Sequence, residues 1–143
     1  MEIKFYDQVE DNLLKFAVIV SRSNGKWVFC KHKERTTYEC PGGHREEQET
    51  ILQAAHRELQ EETGAISYTL KPICPYSVTD SITEITSYGM LYYADIHSFE
   101  PELHSEIEKI LLLKDLPKAR QWTYPEIQPL LLERVSGAVT LTL

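Results

Sequence analysis

Apolar and polar positions alternate along this chain in blocks that predict a mixture of strands and helices. Lys15–Ser21 reads K-F-A-V-I-V-S, a β-branched run suited to a buried strand. Asn24-Gly25 follows as a hairpin turn signal, with Lys26–Lys31 (K-W-V-F-C-K) as the predicted partner strand. Pro41-Gly42-Gly43 then breaks the chain and leads into a Glu-rich polar loop. From Thr50 to Thr63 there is no Gly or Pro, and good helix formers dominate. Thr50 is the predicted N-cap, and Gly64 stands where a left-handed residue would close the helix. Beyond it lie strand-like stretches at Ile66–Val78, interrupted at Pro72 and Pro75, at Glu84–Ile96, and at Ile107–Leu113. Leu116-Pro117 marks a turn, and Pro125 predicts a second helix over Glu126–Val135 with proline in its first turn. The apolar tail Val139–Leu143 is left unassigned. Both helices need a sheet face for their apolar stripes, so the fold class is α+β, a mixed sheet covered by helices.

The first helix carries the chemistry. At about 100° per residue, Glu58, Glu61 and Glu62 share an arc of about 100°. Ile51, Leu52, Ala55 and Leu59 fall beside that arc, so one edge buries while its acidic neighbour faces a cleft. Three like charges at this spacing repel one another by a few tenths of a kcal/mol per pair. Arg57 is one offsetting cation, and a hard divalent metal is the stronger one, since Mg²⁺ is held by a few carboxylates plus substrate phosphates. An isolated E-x-x-E-E is more often a solvated helix face. Here Pro41-Gly42-Gly43 lies upstream, where backbone can approach a metal or phosphate closely and glycine tolerates the unusual dihedrals this needs.

Composition bounds the remaining readings. At 143 residues the chain fits one domain, and 42% apolar with 26% charged residues is ordinary for a globular protein. The net charge of −7 argues against a stable nucleic-acid partner, though not against a phosphorylated small molecule bridged by a cation. The segment Gly43–Ala65 alone, with six Glu against two Arg, carries −4 of that total. Cys30, Cys40 and Cys74 form no C-x-x-C pair, which argues against disulfides and thiolate zinc and for a reducing compartment. The N-terminus lacks a signal-peptide core, and no apolar run is long enough to cross a bilayer. The expected location is the cytoplasm, with no membrane partner.

Read from Gly43, the chain spells G-x5-Glu49-x7-Arg57-Glu58-Leu59-x-Glu61-Glu62-x-Gly64-Ala65. This resembles the Nudix box, with every fixed position filled and a small Ala65 at the last apolar place. Tyr38-Glu39-Cys40-Pro41-Gly42-Gly43 is similar to the aromatic run that leads into the box in MutT-like members, and Ile107–Pro117 resembles the strand and turn after the central sheet. The resemblance covers roughly residues 14–133 and implies one Nudix domain over 1–143. It implies hydrolysis of a nucleoside diphosphate linked to another group, with Mg²⁺ or Mn²⁺ assisting attack of water on phosphorus. By the same resemblance, Glu58 and Glu62 ligate the metal, Glu61 is a further ligand or the base, and the Gly42 carbonyl is a backbone ligand. Arg57 and Glu49 orient the loop against the helix. Two places depart from the family's habit: Glu47-Gln48 replace Pro-Gly, and His44 stands where many members have Lys, which weakens any substrate assignment based on that Lys.

Outside the box, Lys31, Lys33 and Arg35 are candidates to reach a diphosphate, with a solvated turn as the equal alternative. Trp122 and Tyr124 could stack on a base, although ordinary packing is the commoner fate of such residues. Glu84, Glu102, Glu106 and Glu108 are candidates for an extra ligand or base, Glu106 being preferred for its place before the Ile107 strand. His32, His56, His97 and His104 are scattered and support no zinc cluster. The expectation is a nucleoside triphosphate pyrophosphohydrolase, with oxidised nucleotides among its candidate substrates. The alternatives are a non-catalytic nucleotide sensor and an RNA 5′-end pyrophosphohydrolase. A monomer and a homodimer both fit.

Overall fold

The computed structural model describes residues 1–103 and 106–139, so His104 and all but the first residue of the Val139–Leu143 tail lie outside the described residues. The predicted hairpin is present as β2 (Leu14–Ser23) and β3 (Lys26–His32). Asn24 and Gly25 both take positive φ, as a tight hairpin turn requires. β2 is also the parallel neighbour of β6 (Thr86–Phe99). β6 pairs antiparallel with β5 (Ala65–Thr79), which carries β1 (Glu2–Phe5) on its other side. On the far edge β7 (Ile107–Leu113) pairs with β3, giving the order β1-β5-β6-β2-β3-β7.

Two helices cover opposite faces of this sheet because its strands bury alternate residues on each side. Ala17, Ile19, Val28, Tyr92 and Ala94 pack with Ala55 and Leu59 of α1 (Ile51–Thr63). Val20, Phe29, Tyr76 and Leu91 pack instead with Leu131, Leu132 and Val135 of α2 (Gln128–Ala138). The mixed sheet between helices expected from the sequence is therefore present. Helix α1 starts with a capping box, in which the Thr50 hydroxyl accepts from Gln53 N at 3.0 Å and Gln53 Oε1 from Thr50 N at 2.8 Å. It ends on Gly64 at φ +73°.

Three local expectations are corrected. The second helix begins two residues later than predicted, and Pro129, not Pro125, occupies its first turn. The break expected at Pro72 and Pro75 is absent, since β5 runs through both. Tyr6 N donates to the Pro75 carbonyl, so the Pro75 nitrogen faces the end of β1, where no donor is needed, and Pro72 lies beyond β1 at a register shift. Gly42 and Gly43 form a short strand, β4 (Gly42–His44), with ordinary dihedrals. What demands glycine there is close packing: a Cβ on Gly42 would stand 2.5 Å from the Ala17 carbonyl oxygen, and one on Gly43 2.5 Å from the Glu58 carboxyl carbon.

β4 creates the site's frame. One edge of β2 is shared, with Ser21–Ser23 pairing β3 and Phe16–Val18 pairing β4. The sheet splits where β2 changes partner.

Candidate active site

The backbone of β4 alternates between two neighbours. Ile19 N donates to Pro41 O and Arg45 N to Lys15 O, so Pro41, Gly43 and Arg45 bond to β2. Gly42 and His44 must then direct their N–H and C=O groups the other way, toward α1. The Gly42 N–H meets Glu62 Oε1 at 2.7 Å, and the His44 carbonyl accepts from Arg57 Nη2 at 2.9 Å. The Gly42 carbonyl faces the same side. The exposed edge of a short strand is thus covered by the acidic turn of a helix.

Arg57 organises that turn. Its Nε and Nη2 form a two-point pair with Glu49 at 2.7 and 3.0 Å, and its Nη1 lies 2.6 Å from Glu58 Oε1 and 3.5 Å from Glu61 Oε2. Glu49 also accepts from Glu46 N, closing the loop between β4 and α1. The Arg57 pair, followed by that bond, holds the Glu49 carboxyl down at about 2. Glu58 and Glu62 shift the other way. Burial raises Glu58 against the opposing pull of Arg57. Burial pushes Glu62 up to about 8 despite the Gly42 N–H, with the charges of Glu58, Glu39 and Glu61 adding to it. Two buried carboxylates that resist ionisation call for a cation between them.

Among the described residues no three His, Cys, Asp or Glu side chains converge as a closed metal cage. The available donors are oxygen atoms: the carboxylates of Glu58 and Glu62, each side chain only 12% exposed, and the outward carbonyl of Gly42. That set fits a hard cation which keeps several waters, as Mg²⁺ does, and fits zinc poorly. Glu61 is 53% exposed and looks out over the turn.

On the other side of Gly42 and Gly43 lies a cavity of ≈ 500 Å³, within the range of nucleotide-sized ligand sites. Its floor is the α2 face of the sheet, with Phe16, Val18, Tyr76 and Val78. Phe16 fills the space above Gly89 where a side chain would stand, and packs edge-on against Tyr76 at 5.6 Å. Ile85 from the β5–β6 turn and Tyr124, Ile127 and Gln128 from the start of α2 form its walls.

Of the residues singled out from the sequence, Gly42, Glu49, Arg57, Glu58, Glu61 and Glu62 come together here. Arg35 reaches the rim through Glu39, which lines the cavity and holds Arg35 Nη1 at 2.6 Å. Lys33 is exposed, and Lys31 is paired with Glu108. Trp122 is a correction: it is buried, donates to Pro117 O at 3.1 Å and packs edge-on against Phe29. Its ring belongs to the core, and Tyr124 is the aromatic that reaches the cavity. Glu84 sits in a turn at φ +58°, and Glu102 and Glu106 are exposed, none of them lining the cavity. The carboxylate that does join the site is Glu39, which sequence reasoning passed over as a chemical group. It is buried, and His32 Nε2 stands 3.6 Å from both Glu39 and Glu62. Its sequence signal was a lone charge inside the otherwise uncharged run Thr37–Pro41.

The NUDIX domain family model matches residues 11–130. The chain belongs to the Nudix family. It is 34% identical over 119 residues to "Putative 8-oxo-dGTP diphosphatase YtkD" of Bacillus subtilis (strain 168), covering 82% of this chain and 73% of that relative. Among solved structures, a point mutant of the Bacillus subtilis pyrophosphohydrolase BsRppH superposes with a TM-score of 0.81 at 27% identity, covering 98% of this chain and 93% of that one. A NUDIX hydrolase from Nitrosomonas europaea shares the fold with a TM-score of 0.64 at 23% identity over 86% of each chain. By family this chain is thus a Nudix hydrolase, and Nudix hydrolases generally use a divalent metal such as Mg²⁺. No described helix is long and apolar enough to cross a membrane.

Proposed function

We propose that this Nudix hydrolase cleaves a nucleoside triphosphate, oxidised forms included, to the monophosphate and pyrophosphate, with Mg²⁺ or Mn²⁺ as cofactor. One observation carries the reading. Gly42 and Gly43 touch the Glu62 and Glu58 carboxylates and also line the nucleotide-sized cavity. With no side chains on those two residues, a base in the cavity can lay its phosphates across the glycine edge onto the carboxylates. The activity in YtkD's name supports the same substrate class.

In this reading Glu58, Glu62 and the Gly42 carbonyl hold the metal, with Glu61 as a further ligand or as the base. A bound divalent cation supplies neutralisation of phosphoryl charge and acidification of water. Arg57 keeps Glu58 in position, and Glu49 keeps Arg57 in position, so the carboxylates are preorganised before substrate arrives. Water adds to phosphorus, the P–O bond to the leaving phosphate group breaks, and the proton of water passes to a carboxylate; Glu61, open to solvent, is the residue placed to take it. Arg35, held at the rim by Glu39, would meet the polyphosphate, and the exposed Lys33 is the second cation assigned to it in this reading.

The test is a substrate panel of nucleoside triphosphates, their 8-oxo forms and a triphosphorylated RNA 5′ end, with pyrophosphate and orthophosphate measured separately. Pyrophosphate release from free nucleotides is expected, abolished by EDTA and reduced about 10³-fold in Glu62→Gln. Binding without turnover in Mg²⁺ or Mn²⁺ would replace this reading by that of a nucleotide sensor. Turnover confined to RNA would replace it by 5′-end processing.

A further inference from the structure

Arg45 follows β4 directly and reaches back over the loop that leads to α1. Its Nε donates to the Glu49 carbonyl at 2.7 Å, and its Nη1 to the carbonyls of Asp11 at 2.9 Å and Leu14 at 3.3 Å. Its Nη2 meets Asp11 Oδ2 at 2.8 Å, and its backbone N–H donates to Lys15 O at 2.7 Å. The guanidinium thus clamps loop 46–49 to the residues that lead into β2. Inside that loop Gln48 stands at φ +61°, a left-handed conformation that is unfavourable for any residue with a Cβ. Gln48 is exposed, and its side chain makes no hydrogen bond among the described residues that could offset the strain. The support comes from Glu49. Its carbonyl is held by Arg45, its N–H donates to Glu46 O at 3.2 Å, and its carboxylate accepts from Glu46 N and from Arg57. Those bonds keep the loop closed around a strained residue.

We propose that Arg45 is a positioning residue for the hydrolytic site: its grip on the Glu49 carbonyl holds Gln48 left-handed, and so keeps the Glu49 carboxylate on Arg57 and Arg57 on Glu58. The catalytic consequence rests on the hydrolytic reading above, in which Glu58 holds the metal; the chain of contacts stands without it. Released from Arg45, the Glu49 carbonyl loses its donor and Gln48 relaxes toward negative φ. That rotation swings the Glu49 carboxylate off its two-point pair with Arg57, and Arg57 no longer fixes Glu58. A shift of about 1 Å in a group at the reacting centre costs on the order of 10²-fold in rate. The ion pair with Asp11 is the lesser part of the clamp, since that side chain is 68% exposed.

The experiment pairs Arg45→Met with Gln48→Gly. Arg45→Met keeps the apolar stem and removes the donors: kcat should fall at least about tenfold and the Mg²⁺ concentration for half activity rise at least about threefold, with nucleotide KM within about threefold of wild type. Glycine holds positive φ without strain, so adding Gln48→Gly should recover at least about threefold of the lost kcat. Alone, Gln48→Gly should raise the Tm by a few degrees. Asp11→Ala, which removes only the exposed ion pair, should leave kcat within about twofold. A readout without turnover is solvent exchange of the Arg57 Nε–H in metal-free protein, followed by NMR. It should speed up at least about tenfold in Arg45→Met and slow again when Gln48→Gly is added. Unchanged Arg57 exchange, a loss confined to KM, or a loss in kcat that Gln48→Gly does not relieve overturns the proposal. If Arg45→Met does not fold, Gln48→Gly alone decides, because a fall in Tm would mean that there is no strain for the clamp to hold. Faster Arg57 exchange, relieved by Gln48→Gly in a protein that turns over no nucleotide, would sink the hydrolytic reading and uphold the clamp.

Discussion

The two sides of the Gly42-Gly43 edge are built on opposite principles. On the α1 side nearly every polar group is tied to another: Arg57 to Glu49, Glu58 and the His44 carbonyl, and Glu62 to the Gly42 N–H. On the α2 side the cavity has an apolar floor of Phe16, Val18, Tyr76 and Val78, with Ile85 and Ile127 in its walls and polar residues such as Asp80, Ser87 and Gln128 around them. The first arrangement fixes charge before a substrate arrives, which suits a step whose barrier depends on electrostatics. The second arrangement offers apolar area with polar groups around it, which suits holding and sorting a ligand. One region should govern kcat and the other KM and selectivity.

The two glycines give the strongest way to break that division, because they sit on the boundary and are constrained from different directions. A Cβ on Gly43 would stand 2.5 to 2.7 Å from the Glu58 carboxyl atoms. That carboxylate is the flexible end of a side chain, so Gly43→Ala should fold, with a cost of about 1 kcal/mol, but must push Glu58 out of place. A misplacement of about 1 Å at a reacting centre costs on the order of 10²-fold in rate, and the Mg²⁺ concentration for half activity should rise with it. On Gly42 the clash is with the Ala17 carbonyl oxygen of the backbone, which cannot swing away. Gly42→Ala should therefore lose stability first. Thermal melts and Mg²⁺ titrations of both variants check this; a Gly43→Ala enzyme with unchanged metal dependence would remove Glu58 from the metal site.

The same contrast explains what the chain disclosed in advance. The α1 side was legible because its chemistry is local: Glu49, Arg57, Glu58, Glu61 and Glu62 lie within 14 consecutive residues, where helix periodicity converts spacing into geometry. The hairpin, α1 and its caps were legible for the same reason. The cavity was not, because it draws Phe16 from β2, Tyr76 from β5, Ile85 from a turn and Gln128 from α2, residues joined only by the sheet order. Nothing local marks Glu39 as a partner of Glu62, since His32 reaches both only after β3 and α1 have packed. β1 and β4 went unread because four- and three-residue strands carry too little periodicity, and Gly-Gly resembles a break until its neighbour is known. Trp122 misled in the opposite direction. A large aromatic near a predicted site can equally be core, and here Phe29 and the Pro117 carbonyl claim it.

The charges on the α1 side also set how stability should follow pH, with an effect of a few degrees in melting temperature. Glu62 moves from the ordinary value near 4.5 up to about 8, so the folded metal-free protein holds a proton that the unfolded chain has released. Its contribution to stability then falls as pH rises from about 4.5 through about 8. Glu49, held at about 2, works in reverse: its stabilisation is present above 4.5 and is lost as pH falls toward 2. In EDTA the melting temperature should decline between pH 5 and 8, and Mg²⁺ should restore most of the loss by taking the place of the proton on Glu62. In Glu62→Gln that decline should flatten. A decline of equal slope in the variant would place its origin elsewhere.

The smallest effect belongs to the cavity wall, and it tests the division from the other side. Tyr124 is 40% exposed and lines the cavity near Arg35 and Glu39 without touching the carboxylates of α1. Tyr124→Leu keeps apolar bulk at the wall but removes an aromatic face worth about 1 kcal/mol against a base. Such a contact is the same in the bound substrate and in the transition state, because the base does not change during phosphoanhydride cleavage. KM should therefore rise about three- to tenfold while kcat stays within about twofold of wild type. The apparent Mg²⁺ requirement should not move, since no metal-side contact has been altered. A fall in kcat with unchanged KM would mean that the cavity wall positions the phosphates as well as the base, and the two sides of the glycine edge would then have to be treated as one catalytic unit.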